Sequence, residues 1–361
     1  MFLPISNSPR DYAWGSVTAI PELLGTLATG QPQAELWLGT HPGSPSQTPT
    51  GSLADLTTLP FLLKVLAAAS PLSLQAHPTI AQAVDGFARE DASGVPLDAA
   101  NRNYKDRLHK PEIIYALTPF RALCGFRPAS ETRAAIERLL GAKPGDAAIN
   151  AWLDRLGSDD DIQPVFEWLL SRDAGVDELL SSLVVAAPLV AGPHYSLIGE
   201  LAAVYPGDPG IAISLMLNLA ELQPGEVLYL PAGNIHAYVK GLGIELMAAS
   251  DNVLRGGLTP KHVDVPELLR VLNFAPLPVP YLEPSVVDGV ESYSPLSDFR
   301  LLHVTTDAAV ALPGEAIALC TAGSFNLNGL VLSRGMSVYI EGESSLAVVG
   351  SGQLFVATAG V

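Results

Sequence analysis

The run Gly225-Glu-Val-Leu-Tyr-Leu-Pro231-Ala-Gly233-Asn-Ile-His236 constrains the fold of this chain more than any other segment. Val227, Leu228, Tyr229 and Leu230 read as a short apolar strand. Pro231 cannot donate to a strand ladder and so ends it, and Gly233 supplies a sharp bend. The imidazole of His236 is delivered at a fixed place beyond that bend. A rigid strand, a turn and an inward ligand are the parts of a metal site in a small β-barrel.

Two other segments offer matching donors. In Ser73-Leu-Gln-Ala-His77, residues Gln75 and His77 stand two apart and share a face if the segment is extended. Glu112 opens the apolar run PEIIYAL. Two imidazoles, a carboxylate and an amide oxygen form a mixed nitrogen/oxygen set with room for water or substrate. That set suits Zn²⁺ as a catalytic Lewis acid, with Mn²⁺, Fe²⁺ and Co²⁺ ranking below it. No sulfur donor is close in sequence, which excludes a structural zinc of the cysteine type. A single histidine on an apolar strand is ordinarily a packed or surface residue; the turn before His236 and the three segments together favour the ligand reading.

The run that follows His236 carries the second signal. Glu245 alternates with apolar neighbours, as an inward residue of a strand does, and Ser250-Asp251-Asn252 reads as a turn. Arg255 precedes Gly256-Gly257, where the backbone is free to approach a ligand closely. The chain has a net charge of −17, which argues against nucleic acid and against anionic membranes. If the substrate is an anion, the few basic residues must be concentrated where it binds, and Arg255 and Lys261 are candidates. The bland alternative is that Arg255 is a surface residue paired with Asp251. Two cysteines, Cys124 and Cys320, give no disulfide framework. No basic region followed by an apolar run opens the chain, and apolar stretches such as 183–191 are too short for a bilayer. The cytoplasm is the expected compartment.

Along the chain, strands are expected at 34–37, 61–66, 72–77 and 111–117, with a helix at 79–89 and a loop over 90–102. From residue 130 to about 204 the pattern turns helical. Ser130 is placed to cap a helix ending at Gly141. Asp146 caps the next, with Ile149, Trp152, Leu153 and Leu156 on one face. Further helical periods cover 164–171, 177–185 and 194–204, and strands are expected to resume at 211–219. Beyond residue 276 strands return at 299–304, 316–327, 330–340 and 346–357; the 32 glycines and 30 prolines suit the many turns this needs. Gly335-Met-Ser-Val-Tyr-Ile echoes Gly225-Glu-Val-Leu-Tyr-Leu and puts Leu346 where His236 stands. The C-terminal part is therefore read as a second barrel without a metal site.

Four runs resemble the type I mannose-6-phosphate isomerases (phosphomannose isomerases): Ala34-Glu-Leu-Trp-Leu-Gly-Thr-His41-Pro, Pro71-Leu-Ser-Leu-Gln-Ala-His77-Pro, His109-Lys-Pro-Glu112, and 225–264. The spacing from Gly225 to His236 also matches the second metal-binding motif of the cupin superfamily. The first cupin motif has two histidines where this chain has Gln75 and His77, and its carboxylate is displaced to Glu112; both departures are typical of the isomerase family. The resemblance implies a mainly β fold of cupin (jelly-roll) barrels with an α-helical insertion. The catalytic unit would be discontinuous, 1–125 and 205–275, with the insertion at 126–204 and a metal-free β-unit at 276–361. It implies one Zn²⁺ per chain on Gln75, His77, Glu112 and His236, and interconversion of mannose 6-phosphate and fructose 6-phosphate through an enediol. Arg255 falls on the active-site arginine. Lys110, Glu245, Tyr238 and Asp251 fall on pocket positions, and Lys64, Ser73 and Lys261 on positions that touch substrate or phosphate. Lys110 and Glu245 are alternative proton-transferring bases, and His109 or Asp251 would assist ring opening. The partner is a small sugar phosphate, with neither nucleic acid nor membrane, and the state a monomer or small homo-oligomer. Two rival readings fare worse. An iron-dependent cupin dioxygenase needs a histidine-rich site, and a non-catalytic storage cupin leaves Arg255 and Lys110 unexplained.

Overall fold

The computed structural model of the chain describes residues 1–360 and contains two nine-stranded antiparallel sheets and a block of helices. The first sheet runs in the order Val227–Leu230, Glu112–Ala116, His236–Ala248, Phe61–Ala68, Glu35–Leu38. The strand His236–Ala248 is its spine. Its second half pairs with Phe61–Ala68 and Glu112–Ala116, and its first half with Gln75–Ala76 and Phe120–Phe126. The change of partners coincides with a register shift between Tyr238 and Lys240. Next to it Gly241 has φ 137°, and a Cβ there would lie 2.5 Å from the Phe120 ring. Only glycine fits that backbone, which falls where the strand exchanges one set of partners for the other.

The second sheet runs Phe2–Ile5, Ser337–Ile340, Ala316–Leu327, Ser345–Ala359, Phe299–Val304, Val290–Tyr293, Ser285–Val287. Its first strand comes from the N-terminus, which the sequence reading placed with the catalytic unit. The pairing Phe2↔Ile340 spans nearly the whole chain, and no local pattern reveals such a partner. The two sheets meet through one apolar layer, in which Leu63, Val65, Ile113, Ile244 and Leu246 face Phe299, Leu301, Ile317, Leu319 and Phe355. Among the described residues no strand pairing closes either sheet into a ring.

The helices Ala129–Ala142, Ala147–Arg155, Ile162–Leu170, Val176–Ala186, Pro193–Val204 and Gly210–Met216 lie between strands Phe120–Phe126 and Leu217–Leu222. Asp146 caps the second of them, accepting from the amides of Ala148 and Ile149. Ser130 does not cap the first; it lies inside the helix, and Asp159 accepts from the Ala129 amide instead. Gly141 is likewise internal to that helix rather than its stop. Of the expected strand 211–219 only 217–219 is strand; 211–216 lies in the helix Gly210–Met216, every residue of which is buried. A run that is apolar all round shows no period, so buried strand and buried helix look alike in sequence. The expected strand 72–77 is regular only over Gln75–Ala76. The run 330–340 is broken by a turn into Leu330–Ser333 and Ser337–Ile340, and Phe120–Phe126 and Phe2–Ile5 were not anticipated.

The internal echo is present in the backbone. Gly225 and Gly335 both take left-handed conformations, φ 97° and 84°. In each case a four-residue strand begins two residues later, Val227–Leu230 and Ser337–Ile340. Leu346 is fully buried in an apolar cluster with Val310, Leu327 and Val348. Leu346→Ala should therefore cost about 2–5 kcal/mol of stability, the range for truncating a buried leucine. Metal content per folded chain should be unchanged. Urea melts with metal analysis check this, and metal loss from a folded variant would contradict it.

Candidate active site

Three strand ends converge on one point. His77 follows the short strand Gln75–Ala76, Glu112 opens Glu112–Ala116, and His236 opens His236–Ala248. The Pro231–Ile235 turn is pinned from both sides: the Gly233 amide donates to the His77 carbonyl at 2.8 Å, and the Gly125 amide to the Ile235 carbonyl at 2.8 Å. One donor atom from each of His77, Glu112 and His236 lies within 4.8 Å of the others, and all three residues are buried. His77 Nε2 is 3.4 Å from Glu112 Oε1, and His236 Nε2 is 3.3 Å from Glu112 Oε2. Among the described residues neither Nε2 has a hydrogen-bond partner, nor does Glu112 Oε2.

The far nitrogen of each imidazole explains this. His77 Nδ1 donates to the Asn252 carbonyl at 2.7 Å, and His236 Nδ1 to the Asn234 carbonyl at 3.1 Å. A carbonyl only accepts, so the proton sits on Nδ1 and the Nε2 lone pair points inward. Burial pushes the His77 imidazole down to about 4, which keeps it neutral. Gln75 is paired directly opposite His236, so its side chain lies on the same face. Inward-facing imidazole nitrogens beside a carboxylate fit a divalent cation.

A buried charge network adjoins the cluster. Lys110 Nζ lies 2.9 Å from Glu112 Oε1. Burial opposes ionisation of Glu112, but the Lys110 ammonium outweighs it and holds the carboxylate well below its usual range. Lys64 Nζ lies 2.8 Å from Glu245 Oε2 and 3.7 Å from Glu35 Oε1. Burial disfavours the Lys64 ammonium, yet Glu245, Glu35 and Glu112 raise it above the ordinary lysine range. Burial raises the Glu245 carboxyl, with Lys64 opposing. Trp37 donates to Glu35 at 2.8 Å and lies under the Lys64 ammonium at 5.1 Å.

The remaining residues divide. Arg255 is paired opposite Gln75, which puts its Cα about 10 Å from that of His236 across two strand spacings. It is half-buried and forms no ion pair among the described residues. Asp251 pairs instead with His41, Nε2 to Oδ1 3.2 Å, which removes the bland reading of Arg255. Lys261 is exposed, and its ammonium is lowered by the nearby Arg255 and by burial. Tyr238 is fully buried against Phe120, its hydroxyl unpartnered and pushed well above its ordinary value by burial. Ser73 lies in the extended segment leading to Gln75, and its side chain enters no hydrogen bond among the described residues. His109 is drawn onto Asp298 at 2.6 Å and stays outside the ligand cluster.

The sequence reading gave no role to four residues that organise this site. Glu35 and His41 sit within a quoted run, and a carboxylate in the apolar strand Glu35–Leu38 was the available signal. Asn252 and Asp106 gave none. Asp106 Oδ1 and Oδ2 accept from Ser250, from the Asp251 amide and from Asn252 Nδ2, while Asn252 Oδ1 accepts from the amides of Lys105 and Asp106. That clasp fixes the carbonyl that holds His77.

In a mainly β protein, buried donors that converge in this way point to a metal site. Comparison with known proteins gives the family. Residues 2–58 and 54–129 match the catalytic domain of phosphomannose isomerase type I. The chain is 38% identical to the mannose-6-phosphate isomerase of Escherichia coli (strain K12), over 96% of this chain and 97% of that one. It is 33% identical to the Homo sapiens protein of that name, over 89% and 87%. A mutant of phosphomannose isomerase from Salmonella typhimurium superposes with a TM-score of 0.93 at 35% identity, over 100% of both chains. A mannose 6-phosphate isomerase bound with zinc and yttrium gives 0.92 at 36%, again over 100% of both. The chain belongs to the type I phosphomannose isomerase family, and is an isomerase.

His236→Ala removes one inward nitrogen and leaves the sheets intact. It should bind less than about a tenth of the metal of the unaltered protein, since losing even an outer-shell partner costs about 10–100-fold in metal affinity, and should melt as the metal-free unaltered protein does. Full metal occupancy in the folded variant would show that His236 is not a ligand.

Proposed function

We propose that this chain interconverts mannose 6-phosphate and fructose 6-phosphate with one zinc ion held by His77, His236, Glu112 and Gln75. The observation that carries the reading is the convergence of three unpartnered buried donor atoms beside a guanidinium with no carboxylate partner. When bound, zinc supplies a Lewis acid that neutralises charge developing on the substrate oxygens.

The protein's own groups do the rest. Moving a carbonyl between C1 and C2 means taking a proton from one carbon and returning one to its neighbour, through an enediol. Lys110, 2.9 Å from Glu112, and Glu245, 2.8 Å from Lys64, are the alternative bases, and either must leave its ion pair to accept the proton. Burial raises the Glu245 carboxyl, which brings it toward the range of a general base. Arg255 stabilises the enediolate oxygens as a fixed, partly desolvated donor. Lys261 takes the phosphate from the rim, with Lys64 and Ser73 along the substrate's path. Asp251, oriented by His41, assists ring opening; His109, tied to Asp298, is the weaker candidate. The two sheets are read as cupin-type units, the second without metal, and the helical block as an insertion in the first. No described helix is long and apolar enough to cross a membrane, and the cytoplasm is the proposed compartment.

A coupled assay on mannose 6-phosphate tests the activity, and two variants test the roles. Arg255→Ala should lower kcat roughly a hundredfold or more, the scale of losing an electrostatic stabiliser. Lys261→Ala should mainly raise KM. Normal kcat in Arg255→Ala, or kcat loss at constant KM in Lys261→Ala, would reverse the assignment.

A further inference from the structure

We infer that Asp208, in the last loop of the helical block, is a positioning residue for the isomerisation, because its carboxylate locks the turn that carries Arg255 and Lys261. Asp208 lies between helices Pro193–Val204 and Gly210–Met216. Its Oδ1 accepts from the amides of Gly210 and Leu258, both at 2.7 Å, and its Oδ2 from the amide of Thr259 at 3.2 Å. Thr259 Oγ1 in turn accepts from the Lys261 amide at 3.1 Å. One carboxylate thus reaches, directly and through one hydroxyl, the backbone from Leu258 to Lys261.

The turn it grips is an unusual one. Gly257 has φ 115° and Leu258 φ 54°, a left-handed conformation that leucine rarely adopts. Such a conformation persists only where the surroundings hold it. Leu258 is buried among the helices, and Asp208 satisfies its amide. The two loops interlock without room for a side chain. A Cβ at Gly257 would lie 3.0 Å from Asp208 Oδ1 and 3.1 Å from Gly210 Cα, and a Cβ at Gly210 would lie 2.7 Å from Leu258 Cγ. Gly257, the second glycine after Arg255, therefore serves an approach of loop to loop.

The same loop holds the other side of the site. The Tyr205 hydroxyl donates to the Pro71 carbonyl at 2.8 Å, at the head of the segment that carries Ser73 and Gln75. That segment is laced to the turn by Leu74 N to Gly257 O at 3.0 Å and Gly256 N to Leu74 O at 2.8 Å. The Arg255 side chain has no protein partner to aim it, so its direction follows from the backbone that Asp208 fixes. Through this clasp the helical block acts on the reaction without touching substrate.

The inference rests on the roles proposed for Arg255 and Lys261, and a double-mutant cycle separates the two. Asp208→Ala should cost roughly tenfold to a hundredfold in kcat/KM, the scale of small misplacements at a reacting centre. The loss should be shared between lower kcat and higher KM, at unchanged zinc content, with faster amide exchange at Leu258 and Thr259. In an Arg255→Ala background the same change should have little further effect on kcat. Asp208→Asn keeps an oxygen for Gly210 and Leu258 but loses Thr259; it should be milder, and it carries the cycle if the alanine variant fails to fold. An equal kcat effect with and without Arg255, or normal kinetics despite faster exchange at 258–259, would overturn the inference. Normal kcat in Arg255→Ala alone would instead overturn the underlying reading.

Discussion

Everything in the candidate site depends on one buried carboxylate. Glu112 is almost fully buried, and Lys110, His77 and His236 surround it at 2.9, 3.4 and 3.3 Å. Around it Glu35, Glu112 and Glu245 are buried with only Lys64 and Lys110 to answer them. Three buried carboxylates thus face two lysines. Stripping one partner from a buried ion pair typically costs about 3–5 kcal/mol, whereas well-packed apolar side chains in its place are often no less stable. Such a network is poor evidence for stability and good evidence for a ligand. A divalent cation would reverse the local sign and make the pocket attractive to an anion.

Rigidity around that carboxylate comes from the backbone more than from the ligands themselves. The carbonyls of Asn252 and Asn234 fix both imidazoles, the Asp106–Asn252 clasp fixes the first carbonyl, and the Gly233 amide fixes His77 from the turn. Each ligand sits at a strand end whose register is set by neighbours on both sides. The bend at Gly241 lets one strand serve two sets of partners, so His236 and Glu245 belong to the same strand yet to different parts of the site. On the opposite rim the loop carrying Arg255 is braced from the helical block.

Local patterns carried the candidate donors and not the surroundings. His236 was legible because a proline and a glycine must stand at fixed offsets to turn the chain, and Gln75, His77 and Glu112 because polar donors interrupt apolar runs. Asp146 was legible as a cap because its partners are its own neighbours. Ser130 misled because the helix it enters is capped by Asp159, from elsewhere in the chain. The segment 210–216 misled because a fully buried helix has no polar face. Phe2–Ile5 finds its partner more than three hundred residues away. Asp106 and Asp208 were silent for the same reason: each also accepts from a loop distant in sequence, Asp106 from 250–252 and Asp208 from 258–259, which no spacing rule describes.

The central claim is that zinc binds where two imidazoles and oxygen donors converge. X-ray absorption at the zinc edge, on protein isolated with its own metal, tests it most directly. The account predicts a shell of nitrogen and oxygen at about 2.0–2.2 Å with the multiple-scattering signature of two imidazoles and no sulfur. A sulfur shell near about 2.3 Å, or a zinc environment without imidazole, would contradict it.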